Sequence, residues 1–173
     1  MNYNSKNKIS VILPVRNEVK IIESCINSLL KQKLNNVNIE ILVIDGCSDD
    51  GTDKIVKDLE DKDNRIKYLY NENQKTPFAF NIGIEKSSGN YIAILGAHCE
   101  YELNYLQTCF DELFNNDAIG CSGLVVTKSL HNSIESYLSL CILKSNFGVS
   151  SNSFRTIKAG YAHSIPYGVF NKK

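Results

Sequence analysis

The sequence predicts an α/β fold, built on a mostly parallel sheet that carries helices on both faces. Three observations support this prediction. Short apolar runs rich in β-branched residues alternate, over about 130 residues, with segments whose apolar residues recur every three or four positions. The runs are apolar almost throughout, as in strands that are buried on both faces. The chain has 173 residues, a length that suits one domain of strand–helix–strand units.

Five strands and five helices are expected in alternation. The first strand covers 8–15, and apolar residues at helical spacing mark the helix after it, namely Ile21, Ile22, Cys25, Ile26, Leu29 and Leu30. Ser48 or Asp49 is the expected N-cap of the second helix, and Pro77 and Gly89 suit the start and the end of the third. The other strands are expected at 38–44, 66–70, 91–95 and 119–127, and the other helices at 55–59, 77–87, 103–114 and 133–143. From 146 onward the pattern dissolves, apart from a hint of a strand at 165–170.

Charge and hydropathy exclude several classes of protein. Nineteen basic and 19 acidic side chains give a formal net charge of zero, whereas a dedicated nucleic-acid binder is strongly basic. The apolar runs at 39–44 and 91–97 are too short to span a bilayer, and the first residues do not resemble a signal peptide. The six cysteines form no C-x-x-C pair and are too few for a disulfide scaffold. We therefore predict a cytoplasmic protein that does not bind nucleic acid.

Polar residues concentrate just after three of the predicted strands. The first strand is followed by PVRNE at 14–18, the second by DGCSDDGT at 45–52 and the fourth by GAHCE at 96–100. In an open parallel sheet, ligands bind beyond the carboxyl ends of the strands. The three segments are therefore expected to meet at one binding crevice.

Asp45 is the strongest single candidate in this crevice. It ends the run IEILVI, where burial disfavours a carboxylate that has no partner. A nucleobase ring N–H or a ribose hydroxyl of a ligand would be such a partner. The alternative is that Asp45 caps the turn or the helix that follows it, and the residues alone leave both interpretations open. Asp49 is the better candidate for the helix cap.

Four segments together resemble family 2 glycosyltransferases with the GT-A fold, a Rossmann-like nucleotide-diphospho-sugar transferase fold. They are ISVILPVRNE, IEILVIDGCSDDGT, the helix with FNIG at 80–83, and GNYIAILGAHCEY. The likeness extends from residue 8 to about 170 and is closest to succinoglycan-type exopolysaccharide transferases, in which the acidic motif reads Asp-Ala-His and later stretches resemble SFRT and IPYGVF. The resemblance implies an inverting transfer of a sugar from a nucleotide diphosphate donor to an acceptor hydroxyl.

The resemblance also implies which residues hold the nucleotide sugar. Pro14, Arg16 and Glu18 would border the nucleoside. Asp45 would accept a hydrogen bond from the ring N–H of the base, uracil. The helix that contains Asn81 would pack beside the donor.

A divalent cation, Mn²⁺ or Mg²⁺, is implied at the exit of the fourth strand. Gly96 and Ala97 stand where the family's D-x-D motif presents carboxylates to the cation, and both are expected to border the donor. Gly96 replaces the first carboxylate, which leaves His98 and Glu100 as the expected ligands. Imidazole suits Mn²⁺ better than Mg²⁺. The alternative is that His98 only donates or accepts a hydrogen bond at the end of the strand.

The carboxylate base of such a transfer is not found in the sequence. From Ser136 to Lys173 there are five basic residues and no acid. We therefore expect residues 1–173 to be a single donor-binding domain, truncated before a base that lies beyond Lys173. The implied acceptor is a glycan or a lipid-linked sugar, which would bring the whole enzyme to the inner face of the cell membrane.

Two other functions compete with an active transferase. One is a nucleotide-sugar-binding module without turnover, favoured by Gly96 and by the missing base. The other is a dinucleotide-dependent oxidoreductase, which is disfavoured because no G-x-G-x-x-G follows the first strand.

Overall fold

The computed structural model describes residues 7–116, 118–128, 133–145, 160–161 and 165–172. The strands in this part of the chain are β1 (Asn7–Val15), β2 (Val37–Asp45), β3 (Ile66–Tyr70), β4 (Tyr91–Ile94), β5 (Gly120–Cys121) and β6 (Val169–Asn171). The helices are α1 (Ile22–Leu30), α2 (Thr52–Glu60), α3 (Thr76–Lys86), α4 (Tyr105–Asn115) and α5 (Ile134–Lys144). None of these helices is long and apolar enough to cross a membrane.

The six strands form one sheet in the order β3-β2-β1-β4-β6-β5. The pairs β1–β2, β2–β3 and β1–β4 are parallel, whereas β6 is antiparallel to both β4 and β5. The chain first adds strands on one side of β1 and then returns to add β4 on its other side. The strand order therefore reverses between β1 and β4, which is the place where open α/β sheets bind ligands.

Helices cover both faces of the sheet, as predicted. Side chains alternate between the faces along a strand: Ile9, Val11 and Leu13 of β1 join a large core with α1, α2 and α4. Ile12 points to the other face, where it packs in a smaller core with Ala79 of α3. The mostly parallel α/β architecture expected from the sequence is thus confirmed.

Helix α3 lies directly on β1 because it carries a glycine at the contact. A Cβ atom at Gly83 would lie 2.5 Å from Cγ2 of Ile12, closer than real side chains approach. The helix begins at Thr76 with Pro77 in its first turn, as the sequence predicts. This packing brings the start of α3 to the carboxyl ends of the strands.

A buried carboxylate joins β1, β2 and the segment before β4. Glu40 is 3% exposed and accepts hydrogen bonds from Lys8 Nζ (2.8 Å), Ser10 Oγ (2.5 Å) and the backbone N–H of Ser88 (2.7 Å). Burial by itself would raise the pKa of Glu40, but these hydrogen bonds outweigh it and lower the pKa to about 2. The ionised carboxylate therefore stabilises the fold at neutral pH.

The predicted fifth strand is wrong in length. It was expected at 119–127, but β5 consists of Gly120 and Cys121 only. These two residues pair with Phe170 and Val169 of the short strand β6. A strand continues only while a neighbour supplies hydrogen-bond partners, and Leu124 and Val126 of the expected strand are mostly exposed.

The predicted cap of α2 is also wrong. Neither Ser48 nor Asp49 is the N-cap, which is Gly51 at a φ of 99°. The backbone N–H of Thr52 donates instead to Oδ1 of Asp50 (3.0 Å), and Ser48 bonds to Asp45. Several side chains of DGCSDDGT can cap, and tertiary contacts decide between them.

The chain divides into two compact units. The first comprises Met1–Cys121 and Tyr167–Lys173, and the second comprises Ser122–Pro166. In the first unit, β6 supplies the strand hinted at 165–170, although it begins later, at Val169. In the second unit, Ser133 is the N-cap of α5 and its Oγ accepts from the N–H of Ser136.

Candidate functional site

A cavity of about 340 Å³ opens at the carboxyl ends of β1, β2, β3 and β4. Its walls come from the loops after these strands, the start of α3 and the segment before β6. The polar side chains that line it are Arg16, Glu18, Asn71, Gln74, Thr76, His98 and Tyr167. The cavity therefore lies where the polar strand exits of the sequence predict a site.

The strand order arranges the lining residues in a row. Asn71 follows β3, Gly46 follows β2, Glu18 follows β1, His98 follows β4 and Tyr167 precedes β6. Because β6 is antiparallel to β4, its start lies at the same edge of the sheet as the end of β4. Neighbouring strands are about 4.8 Å apart, so the row from β3 to β6 is about 19 Å long. The site is elongated, with different chemistry at its two ends.

The loops after β1 and β2 are held together by hydrogen bonds. Backbone N–H groups of the first loop donate to side chains of the second at 2.8–3.0 Å: Asn17 to Ser48, Glu18 to Thr52 and Val19 to Asp50. Asn17 has a φ of 56°, in the left-handed region that asparagine tolerates better than most residues. The cluster DGCSDDGT thus fixes the loop that carries Arg16 and Glu18.

Asp45 accepts three hydrogen bonds from neighbouring residues. Its side chain is 1% exposed and accepts from the N–H (3.1 Å) and Oγ (2.5 Å) of Ser48 and from the hydroxyl of Tyr68 (2.9 Å). Burial and this hydrogen bond raise the pKa of Tyr68. The carboxylate closes a turn, as in the second interpretation of the sequence, and it does not line the cavity. Contact of Asp45 with a base stays a prediction.

Asn71 is a site residue that the sequence interpretation missed. It is 1% exposed and lines the cavity. Its N–H donates to the carbonyl of Asp45 (2.8 Å) and its Nδ2 donates to the carbonyl of Lys75 (3.2 Å). Its Oδ1 is buried and has no hydrogen-bond partner within the described part of the chain. The signal was present in the sequence, because Asn71 directly follows the third strand.

The predicted site residues are only partly brought together. Pro14, Arg16, Glu18, Gly96, Ala97 and His98 line the cavity. Asn81 does not line it, since it lies exposed on α3, whereas its neighbours Ala79 and Phe80 do. Glu100 is exposed and does not line the cavity either.

The charged groups of the site meet where the strand order reverses. Nδ1 of His98 lies 3.8 Å from Oε1 of Glu18, with side chains 61% and 25% exposed respectively. Arg16, also exposed, lies two residues before Glu18 on the same loop. The middle of the row therefore combines one guanidinium, one carboxylate and one imidazole.

The donor atoms for a divalent cation are few. No group of three or more His, Cys, Asp or Glu side chains that could hold a metal occurs among the residues that the structure describes. Glu18, rather than the predicted Glu100, is the carboxylate beside His98. Two protein donors do not make a complete site, but they fit a cation that takes its other ligands from substrate phosphates.

Residues 10–160 match the family model described as glycosyl transferase family 2. The chain belongs to this family. Family 2 is a family of glycosyltransferases.

Curated relatives of this family 2 chain are longer than the chain itself. A dolichyl N-acetyl-α-D-glucosaminyl phosphate 3-β-D-2,3-diacetamido-2,3-dideoxy-β-D-glucuronosyltransferase of Methanococcus voltae is 32% identical over 173 residues, which cover 96% of this chain and 54% of the relative. Glycosyltransferase GlyA of Streptococcus pneumoniae is 32% identical over 111 residues, or 64% of this chain and 16% of the relative. The chain thus spans about half the length of the first relative and less of the second.

Solved structures of S. aureus TarS share the fold of this family 2 chain. TarS 1-349 aligns with a TM-score of 0.64 at 19% identity, and the alignment covers 95% of this chain and 47% of the 1-349 chain. The complex of TarS 1-349 with UDP-GlcNAc aligns with a TM-score of 0.61 at 19% identity, over 95% of this chain and 45% of the 1-349 chain. At these identities the likeness concerns the fold alone, and it confirms the GT-A expectation.

Proposed function

We propose that this family 2 chain binds a UDP-sugar and forms the donor-binding part of an inverting glycosyltransferase. The acceptor is the hydroxyl of a glycan or of a lipid-linked sugar in cell-envelope or exopolysaccharide synthesis. The observation that carries the proposal is the elongated cavity at the strand-order reversal, with a buried acceptor at one end and charged groups at its centre. The likeness to succinoglycan-type transferases stays a prediction.

The base of the nucleotide is assigned to the β3 end of the cavity. A buried oxygen without a partner is costly, and a ligand that donates a hydrogen bond to it relieves that cost. Oδ1 of Asn71 is such an oxygen, and the ring N–H of uracil is a donor of the required kind. Cytosine has a lone pair at the same ring position, so the site discriminates against it. Asp45 then supports the base from behind by holding the adjacent turn, and its direct contact with the ring N–H is the alternative assignment.

The diphosphate is assigned to the middle of the cavity. Arg16 supplies a guanidinium, which binds phosphate oxygens through paired hydrogen bonds. Glu18 and a neutral His98 would hold a divalent cation together with the diphosphate oxygens. When bound, the cation neutralises the charge that develops on the leaving diphosphate. Pro14 and Ala97 close the walls around these groups.

In this proposal the chain does not supply the general base that takes the proton of the acceptor hydroxyl. Glu18 is the one carboxylate among the cavity-lining residues that the structure describes, and it already faces His98. A base that takes the acceptor proton contributes about 10²–10⁴-fold to the rate. We therefore propose that the base belongs to residues outside this chain, and that the isolated chain binds donor with negligible transfer.

Calorimetric titration with UDP tests donor binding. Two variants, each of which removes one basic side chain, form a matched pair. Arg16→Gln removes the guanidinium assigned to the diphosphate and is expected to weaken UDP binding about tenfold or more, because a hydrogen bond to a charged group contributes roughly 1.5–3 kcal/mol. Lys20→Gln removes an exposed cation on the same loop that does not line the cavity. It should leave the affinity unchanged. Absence of UDP binding by the parent, or equal effects of both variants, contradicts the proposal.

A second pair of variants tests where the nucleobase of UDP binds. Asn71→Ala is expected to weaken UDP binding and to reduce the preference for UDP over CDP, whereas Asn73→Ala, exposed on the same loop, should change neither. If Asn71→Ala kept the parent's preference for UDP over CDP, the nucleobase would have to bind elsewhere in the cavity.

An assay of UDP release separates the transferase from a binding module. UDP-glucose, UDP-galactose and UDP-N-acetylglucosamine are offered with simple and lipid-linked sugar acceptors. We expect UDP binding beside release at the background rate. Turnover near the ordinary enzyme median of about 10 s⁻¹ would show that the chain carries its own base.

A further inference from the structure

We propose that Tyr167 packs its aromatic ring against the sugar of the donor and thereby selects which nucleotide sugars bind. The inference rests on the proposed function, because it concerns the sugar end of the same cavity. Tyr167 lies in the stretch IPYGVF at 165–170, for which the sequence predicts no role in the site. It enters the cavity only through the pairing of β6 with β4.

The ring of Tyr167 occupies the space next to Gly96. A Cβ atom at Gly96 would lie 2.7 Å from Cε1 and 3.4 Å from both Cδ1 and Cζ of that ring. Any larger residue at position 96 must therefore push the ring away. The two positions form one unit, in which the absence of a side chain at Gly96 leaves room for the aromatic ring at the exit of β4.

The backbone at Tyr167 and at the next residue is held by hydrogen bonds. The carbonyl of Tyr167 accepts a hydrogen bond from the hydroxyl of Tyr105 (2.5 Å), and the carbonyl of Gly168 accepts from the N–H of Ile94 (3.0 Å). Tyr167 itself has a φ of 53°, in the left-handed region where a bulky side chain is rare. Strained backbone of this kind persists where its surroundings hold it and often accompanies a functional role.

The position of Tyr167 in the row assigns it to the sugar. A nucleotide sugar is linear, with the base at one end, the diphosphate in the middle and the sugar at the other end. Asn71 lies at the β3 end of the cavity and Arg16 in the middle, so the sugar reaches the β4–β6 end. There the half-buried ring of Tyr167 would pack an apolar face against the C–H groups of a pyranose.

The experiment compares UDP with UDP-sugars, so that base and diphosphate contacts cancel. Dissociation constants for UDP, UDP-glucose, UDP-galactose and UDP-N-acetylglucosamine are measured on the parent, Tyr167→Phe and Tyr167→Leu. The sugar contribution is the affinity for a UDP-sugar relative to that for UDP. For at least one sugar, Tyr167→Leu is expected to lower this ratio by roughly three- to tenfold, in the range of aromatic contacts elsewhere in proteins. Tyr167→Phe keeps the aromatic ring and is therefore expected to retain most of the sugar contribution.

The outcomes distinguish this inference from the proposed function. If the parent does not bind UDP, the proposed function fails. If UDP binds normally to every variant but the ratio is unchanged in Tyr167→Leu for all three sugars, only the role of Tyr167 fails. A loss in Tyr167→Phe as large as in Tyr167→Leu would assign the effect to the hydroxyl and would overturn ring packing. UDP affinity also reports that each variant is folded.

A substitution at Gly96 tests the same contact without changing Tyr167. Gly96→Ala is expected to displace the ring and to lower the same ratio. The double variant Gly96→Ala/Tyr167→Leu should then lose no more than Tyr167→Leu alone, because both changes remove one contact. Additive losses would mean that the two residues act separately, and would overturn the proposed coupling.

Discussion

The carboxylate of Asp45 is predicted to stabilise the loop that it closes, whatever it contributes to ligand binding. It accepts hydrogen bonds from the N–H and hydroxyl of Ser48 and from the hydroxyl of Tyr68, and it is 1% exposed. Asp45→Ala leaves these donors without their acceptor. Loss of UDP affinity in this variant is expected both from direct contact and from loop disorder, so affinity alone does not separate the two roles. Stability does.

The size of the effect follows from these contacts. A hydrogen bond to an ionised group contributes roughly 1.5–3 kcal/mol. Removing the carboxylate also relieves the cost of burying it, and the partly exposed Ser48 can bond to water instead. We therefore expect Asp45→Ala to lower the free energy of unfolding by about 3 kcal/mol, less than the three hydrogen bonds would contribute separately. Tyr68→Phe removes one hydrogen bond and should cost about half as much.

Urea unfolding at pH 7, followed by far-ultraviolet circular dichroism, measures these differences. Asp49→Ala is the matched control, because it removes an exposed carboxylate from the same loop and should change the free energy of unfolding by less than about 0.5 kcal/mol. The double variant Asp45→Ala/Tyr68→Phe should be less destabilised than the sum of the single variants, since they share one hydrogen bond. If Asp45→Ala unfolds at the same urea concentration as Asp49→Ala and still loses UDP affinity, the structural role is refuted and direct ligand contact is the better explanation.

Two further predictions concern pH and metal. Because hydrogen bonds lower the folded-state pKa of Glu40 from 4.5 to about 2, its stabilisation is present above pH 4.5 and lost as the pH falls toward 2. That loss amounts to roughly 3 kcal/mol. Urea midpoints between pH 6 and pH 2.5 should fall less steeply in Glu40→Gln, and parallel pH profiles would contradict the assignment. UDP affinity should rise more with Mn²⁺ than with Mg²⁺, because the proposed ligand set includes the imidazole of His98. His98→Ala should abolish this difference, and equal affinities with Mn²⁺, Mg²⁺ and a chelator would remove the cation from the proposal.

Local pattern was enough to predict the frame of the fold. Apolar periodicity located α1, and continuous β-branched runs located β1, β2 and β4, because each depends on which face of a short segment is buried. The same reasoning placed Arg16, Glu18 and His98 at strand exits. Since parallel strands share an edge, these residues had to come close, and the cavity contains all three.

Long-range pairing decided what local pattern could not. The partner of His98 is Glu18, which lies 80 residues away in the chain, rather than the nearby Glu100. Strand β5 stops after Cys121 because it pairs with the short strand β6, although its sequence continues to suit a strand. Both outcomes depend on the neighbour that the fold supplies, and the segment itself does not specify that neighbour.

The sequence by itself determined that the chain forms a mostly parallel sheet with polar groups at the carboxyl ends of its strands, since period and composition depend on local chain geometry. The tertiary structure decided how those groups are used. It engaged Asp45 with Tyr68, left Oδ1 of Asn71 without a partner within the described residues, and set the ring of Tyr167 against Gly96. The physical reason is that hydrogen-bond satisfaction and steric contact depend on atoms brought together from distant parts of the chain.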